Sequence, residues 1–210
     1  MEKENTLTTN LNKRIEKGGR YRAKSIKEYF QKSRLDWWKP EVKEPYIKQK
    51  EKIDEWLGNN SFRNVLEIGP GFGRITQLLS NHTDDLTLVE VNEKANRKLK
   101  KSFPTAMIIE DSIEDSIENL MEKYELICAV EILVHIPNIP KLLQGVHNRL
   151  DDDGIFITSI TKDTAYQNKY TVIHRGINSV EFENEIHKVG FTIVDEVEHD
   201  HLLTYLLTKA

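Results

Sequence analysis

Asn64-Val-Leu-Glu-Ile-Gly-Pro-Gly-Phe-Gly-Arg-Ile-Thr76 decides how the rest of this 210-residue chain is read. Val65-Leu66-Glu67-Ile68 has the composition of a short buried strand, and Gly69, Gly71 and Gly73 form a tight turn. Ile75, Leu78 and Leu79 then open the apolar stripe of a helix over 72–81. A strand, a glycine turn and a helix start make a nucleotide-type site. Residues without a Cβ accept positive φ and let a ligand approach the backbone, and the first helical turn presents unpaired N–H groups. A glycine turn can also be a plain connection, so the reading needs support from downstream.

That support is acidic. Leu86-Thr-Leu-Val-Glu-Val reads as a second buried strand, and its Glu90 lies 21 residues beyond Gly69. In a Rossmann-like unit a carboxylate at about that distance grips ribose hydroxyls. Thr105-Ala-Met-Ile-Ile-Glu-Asp is a third strand ending in Glu110 and Asp111. Any one of these acids can be a solvated cap. Together they place polar groups at the carboxyl edge of an open α/β sheet, where ligands bind.

The G-x-G-x-G spacing at 69–73, with Glu90 and Asp111 after the next two strands, resembles the class I S-adenosylmethionine-dependent methyltransferases. The resemblance covers residues 60–210. It implies S-adenosylmethionine as cofactor, with S-adenosylhomocysteine as product, and a methionine end passing Glu67, Gly69, Gly71 and Gly73. It also implies a ribose diol on Glu90 with Val91 beside the adenine, and an adenine amino group on Asp111 with Ser112 and Ile113 adjacent. A nicotinamide dehydrogenase fits less well, because Arg74 stands where its third glycine would be.

Composition agrees with a soluble globular protein. The charged fraction is 30% and the net charge −4, which gives no global pull toward nucleic acid. No apolar run approaches the ~18 residues of a membrane span, and the N-terminus has no signal-peptide core, so the expected compartment is the cytoplasm. The lone Cys128 lies within an apolar run and reads as a packing residue. No metal site is expected. Charge is uneven: residues 1–60 hold 15 Lys+Arg against 10 Asp+Glu, a net of +5, leaving 15 against 24, or −9, for residues 61–210.

The chain therefore divides into an N-terminal helical extension, 1–58, and a cofactor-binding domain, 59–210. In the extension, one or two helices fall between Leu11 and Lys32, and another runs from Lys43 or Pro45 to Leu57. Tyr21, Tyr29, Trp37 and Trp38 either form a lid over the transfer site or offer a surface to an extended partner. On the later helix, Tyr46, Ile47, Ile53, Trp56 and Leu57 supply a face that packs on the sheet. Beyond the glycine turn, strands and helices alternate: helices at 93–102, 113–123, 139–150 and 178–189, strands at 125–130 and 154–160. This predicts a parallel sheet covered on both faces. Strands at 191–198 and 202–208 are too close for a crossover and must form a hairpin. The expected fold class is α/β, a Rossmann-like class I methyltransferase fold with a seven-stranded, mostly parallel sheet and a C-terminal antiparallel hairpin.

Methyl transfer from a sulfonium requires alignment, plus a base where the acceptor must lose a proton. After the fourth strand, Glu131-Ile-Leu-Val-His135-Ile-Pro137 resembles the His-x-Pro of many small-molecule O- and N-methyltransferases. His135 or Glu131 is the candidate base or acceptor-binding group; alternatively, Glu131 orients the loop and His135 packs. The long 161–177 connection carries Tyr166, Tyr170, His174 and Arg175, and is either an acceptor loop or a plain surface loop. The glycine segment echoes the rRNA adenine dimethyltransferases, but their Asn-Leu/Ile-Pro-Tyr is not matched at 134–138. The expected activity is methyl transfer to O or N of a small molecule. An RNA or protein acceptor, and a non-catalytic S-adenosylmethionine-binding module, stand as alternatives.

Overall fold

The computed structural model describes residues 43–162 and 176–210. The helices expected between 11 and 32, the aromatic segment with Trp37 and Trp38, and Tyr166, Tyr170, His174 and Arg175 lie outside the described residues. Among the described residues the first element is helix α1 (Glu44–Leu57), then β1 (Val65–Ile68), α2 (Thr76–Leu79), β2 (Leu86–Val89), α3 (Glu93–Ser102) and β3 (Met107–Ile109). Next come α4 (Ile113–Ser116), a 3-10 turn (Ile117–Asn119), β4 (Tyr124–Ala129), a second 3-10 turn (Leu133–His135) and α5 (Ile139–Arg149). β5 (Leu150–Thr161), α6 (Ser179–Val189), β6 (Phe191–His199) and β7 (Leu202–Lys209) complete the chain.

Seven strands form one sheet in the order β3-β2-β1-β4-β5-β7-β6. The first five in that order are parallel, and β7 runs antiparallel between β5 and β6. Order reverses between β1 and β4, so the crevice at the carboxyl ends of these strands is the topological switch point. The expected sheet and its closing hairpin are both present.

Alternating side chains divide the core. Leu66, Ile127 and Phe156 join one apolar cluster, with Leu142, Val146 and Ile186 from α5 and α6. Val65, Leu126 and Ile157 face the other way and meet Ile53 and Leu57 of α1, Leu78 and Leu79 of α2, and Leu99 of α3. Both faces are therefore covered, as a parallel sheet requires. α1 starts with Pro45 in its first turn and ends at Gly58, which has φ 54°. Its fully buried Ile53 and Leu57 secure it to the sheet, and truncating either to alanine would cost about 2–5 kcal/mol. Cys128 is buried, as its setting predicts, and burial pushes its thiol well up.

Two expected helices are shorter. The one predicted over 72–81 is helical only at Thr76–Leu79, because residues 71–75 are occupied by turns of the glycine segment. The one predicted over 113–123 becomes α4 and a 3-10 turn. Ile113, Ile117 and Leu120 are all buried in one apolar cluster while Met121 is exposed; the helix stops because the backbone turns extended at Leu120, with φ −64° and ψ 127°. β5 is longer than expected and starts at Leu150.

Candidate functional site

The turn after β1 is held from both sides. Gly69 donates its N–H to the Val89 carbonyl at 2.9 Å, and Gly73 closes the turn by donating to Pro70 at 3.0 Å. Gly69 and Gly71 have φ of 69° and 55°, a region side chains other than glycine rarely enter. A Cβ on Gly69 would meet Ile132 Cδ1 at 2.7 Å, whereas a Cβ on Gly71 would meet nothing within 4 Å. Gly69 is thus needed for packing, and Gly71 faces open space at the site.

The carboxylate of Glu90 lies against this turn. One oxygen accepts the Gly71 N–H at 2.8 Å and the other the Asn92 N–H at 2.7 Å. Burial pushes the Glu90 carboxyl up, and these amides oppose the shift. Asn96 of α3 donates to the Glu90 carbonyl at 2.9 Å, and Asn92 caps α3 by accepting from Lys94 and Ala95. Val91 is half-buried beside them. After β3, Asp111 accepts the N–H of Ser112 at 2.8 Å, and Ser112 precedes the buried Ile113 that opens α4.

Glu67 points the other way. It is buried under the turn and accepts the Thr76 hydroxyl at 2.6 Å. Burial pushes its carboxyl up to about 7, opposed by Thr76 and the Arg74 guanidinium.

An open glycine cradle, with one acid fixed at its mouth and another beneath it, fits a cofactor that has a ribose diol and a charged methionine end. A family model described as "Methyltransferase domain" matches residues 41–196. This chain belongs to the class I S-adenosylmethionine-dependent methyltransferases. Among relatives of this methyltransferase, the Ribosomal RNA small subunit methyltransferase A of Acidobacterium capsulatum is 41% identical over 64 residues, covering 29% of this chain and 23% of that protein. Nodulation protein S of Azorhizobium caulinodans is 32% identical over 104 residues, covering 48% of this chain and 50% of that one. The chain thus spans half or less of the length of these two relatives. In fold it is similar to the N-methyltransferase NodS from Bradyrhizobium japonicum WM9 in complex with S-adenosyl-l-homocysteine. The TM-score is 0.72 at 15% identity, over 95% of this chain and 98% of that one.

At the carboxyl end of β4 of the methyltransferase sheet, Glu131 has φ 60°, an uncommon value for a residue with a side chain. Its N–H donates to the Ser159 hydroxyl at 2.8 Å, and that hydroxyl donates to Glu131 Oε1 at 2.7 Å. Longer contacts of 3.4 Å come from Thr161 Oγ1 and from Gln49 Nε2 of α1. The carboxylate is therefore anchored by donors from one strand, β5, and one helix, α1. His135 lies half-buried on the 3-10 turn that follows, its N–H bonded to the Ile132 carbonyl at 2.9 Å.

The sequence reading missed Asn92, Asn96, Thr76, Ser159, Arg74 and Gln49 as parts of this arrangement. A signal existed for Gln49. It sits at helical spacing between Tyr46 and Ile53, a polar residue in an apolar stripe, and it is fully buried. Ser159 and Thr161 follow Ile155 and Ile157 on one face of β5, where the pattern changes from apolar to polar. Among the described residues, no helix is long and apolar enough to cross a membrane.

Proposed function

We propose that this protein transfers a methyl group from S-adenosylmethionine to an oxygen or nitrogen atom of a small molecule. The observation that carries the reading is the Glu90 carboxylate fixed against the N–H of Gly71 at the switch-point crevice. When bound, the cofactor supplies a methyl group on a positively charged sulfur. In this reading Glu67, Gly69, Gly71 and Gly73 cradle the methionine end, Glu90 takes the ribose diol beside Val91, and Asp111, Ser112 and Ile113 receive the adenine. The chain's remaining task is to hold an acceptor in line and keep water out.

Glu131 suits orientation and charge stabilisation better than proton abstraction, because its lone pairs already receive Ser159, Thr161 and Gln49. That leaves His135 as the group to take a proton from the acceptor. The small-molecule reading is supported by α1, whose Gln49 reaches Glu131 and Thr204 and so closes one side of the crevice at β4, β5 and β7. Calorimetric titration of S-adenosylmethionine and S-adenosylhomocysteine into wild type and Glu90→Ala tests the cofactor assignment. Binding by wild type that is lost in the variant supports it, and no binding by wild type overturns it.

One observation favours an RNA acceptor as a second reading. Lys94, Arg97, Lys98 and Lys101 share one exposed face of α3 at helical spacing, within a region that carries an excess of acid. Lys98 Nζ also lies 5.4 Å from the ring of Phe72 in the glycine turn. A cationic stripe beside an aromatic ring at the mouth of the site suits a phosphate backbone and an unstacked base.

A further inference from the structure

The face of the sheet beneath α1 is apolar toward its amino edge and polar toward its carboxyl edge. Val65, Leu126 and Ile157 give way to Glu67, Ser159, Thr161 and Thr204, all buried. Gln49 enters this polar layer from α1 with no exposed surface. Its Oε1 accepts Arg74 Nη2 at 2.7 Å, and its Nε2 donates to Thr204 Oγ1 at 3.1 Å and, at 3.4 Å, to Glu131 Oε1. Arg74 also donates to the Tyr46 carbonyl at 3.0 Å and lies 5.7 Å from the Tyr46 ring. One amide therefore bridges the residue that follows the glycine turn, the acid that ends β4, and β7.

We propose that Gln49 is a positioning residue that couples α1 to the glycine turn and to Glu131, so that cofactor in the turn and α1 over the crevice stabilise one another. The inference rests on reading that turn as the S-adenosylmethionine cradle. Two physical features support it. The Arg74 guanidinium is buried just after the glycine turn and hydrogen-bonded to Gln49 and the Tyr46 carbonyl; burial pushes its pKa down and the nearby Glu131 and Glu67 carboxylates oppose that, so Gln49 holds a charge that faces both the turn and the acid after β4. The amide also has little freedom to compensate, because its oxygen and both sides of its NH2 group are committed. α1 has a separate anchor at its other end, where Trp56 Nε1 donates to Asp195 Oδ2 at 2.8 Å. The two ends can therefore be perturbed independently.

Linkage makes the coupling reciprocal, and couplings of this kind are typically about 5- to 150-fold. Hydrogen exchange of α1 backbone amides, measured on the full chain with and without S-adenosylhomocysteine and alongside calorimetry, tests the proposal. In wild type the ligand should slow α1 exchange roughly tenfold or more. Gln49→Leu should abolish that ligand-dependent slowing and weaken S-adenosylhomocysteine by a similar factor. Trp56→Phe should speed α1 exchange in both states while keeping the slowing, which a merely structural role for Gln49 does not predict. If Gln49→Leu does not fold, Gln49→Glu serves, since it keeps the acceptor for Arg74 and loses the donor to Glu131 and Thr204; it should reduce the slowing. Binding with no change in α1 exchange in wild type, or slowing that survives in both Gln49 variants, overturns the coupling alone. No binding to wild type overturns the cofactor reading, and the coupling with it.

Discussion

Gly69 and Ile132 meet so closely that a Cβ on the glycine would stand 2.7 Å from the isoleucine Cδ1. The turn after β1 is thus fitted against the segment after β4, across the point where strand order reverses. Gly71, two residues on, has nothing within 4 Å of the same construction. The two glycines should therefore respond differently to the same substitution. Gly69→Ala combines positive φ with a clash and should lower stability by more than about 2 kcal/mol. Gly71→Ala carries the backbone strain alone, about 1–2 kcal/mol, and its methyl enters the space assigned to the cofactor. Thermal denaturation should show the larger loss for Gly69→Ala, while calorimetry on folded Gly71→Ala should show S-adenosylhomocysteine binding at least tenfold weaker.

Glu67 makes stability depend on pH in an unusual direction for a carboxyl group. Burial raises its folded pKa to about 7, above the ordinary value near ~4.3 of an unfolded chain. Between those two values the folded state holds a proton that the unfolded state releases. The stabilisation is therefore complete below the lower value and is lost as pH rises toward the upper one. The size is up to about 4 kcal/mol on the linkage relation. Glu67→Gln can still accept the Thr76 hydroxyl and has nothing to titrate. Its melting temperature relative to wild type should rise between pH 5 and pH 8, and a constant difference would rule out this assignment.

The Trp56–Asp195 bond ties the carboxyl end of α1 to β6, with Lys52 Nζ 3.3 Å from the same Asp195 oxygen. Trp56 and Lys52 also lie together, the ammonium 5.5 Å from the indole ring. Asp195 is partly exposed, so each contact is modest. Trp56→Phe and Asp195→Ala should each lower the midpoint of urea denaturation slightly. The double variant should lose less than the sum, because both remove the same bond.

The α3 stripe separates the two acceptor readings. If a phosphate backbone lies along it, Arg97→Glu combined with Lys101→Glu should weaken RNA binding and flatten the log–log dependence of affinity on salt by about two units. For a small-molecule acceptor the same variant should retain its turnover, and binding of RNA by wild type should be weak and without a specific site. The double change keeps a like-charged pair at 97 and 101 and places an acid in the last turn of α3, so a small loss of helix stability is expected and is checked by circular dichroism.

Local signals carried much of the fold. Alternation of short apolar strands with amphipathic helices and the short link between 199 and 202 lie within a few residues of what they specify. Those elements appear where they were expected. The glycine spacing and Glu90 were legible for the same reason, since strand length and turn chemistry place them at one sheet edge. Helix length at 72–81 and 113–123 was not legible. The apolar spacing continues in the sequence, but the glycine turns occupy the first residues of one, and the backbone of the other turns extended at Leu120 while that side chain stays buried.

By itself, then, the sequence determined an α/β sheet with a glycine turn and acids at its carboxyl edge, because each of these depends on neighbours in the chain. Only the tertiary structure decided that Glu90 grips Gly71 while Glu67 turns under to Thr76, and that Gln49 meets Arg74, Glu131 and Thr204. Gln49 and Thr204 are 155 residues apart. Their meeting depends on where α1 crosses the sheet and on β7 lying beside β5, which no local propensity specifies.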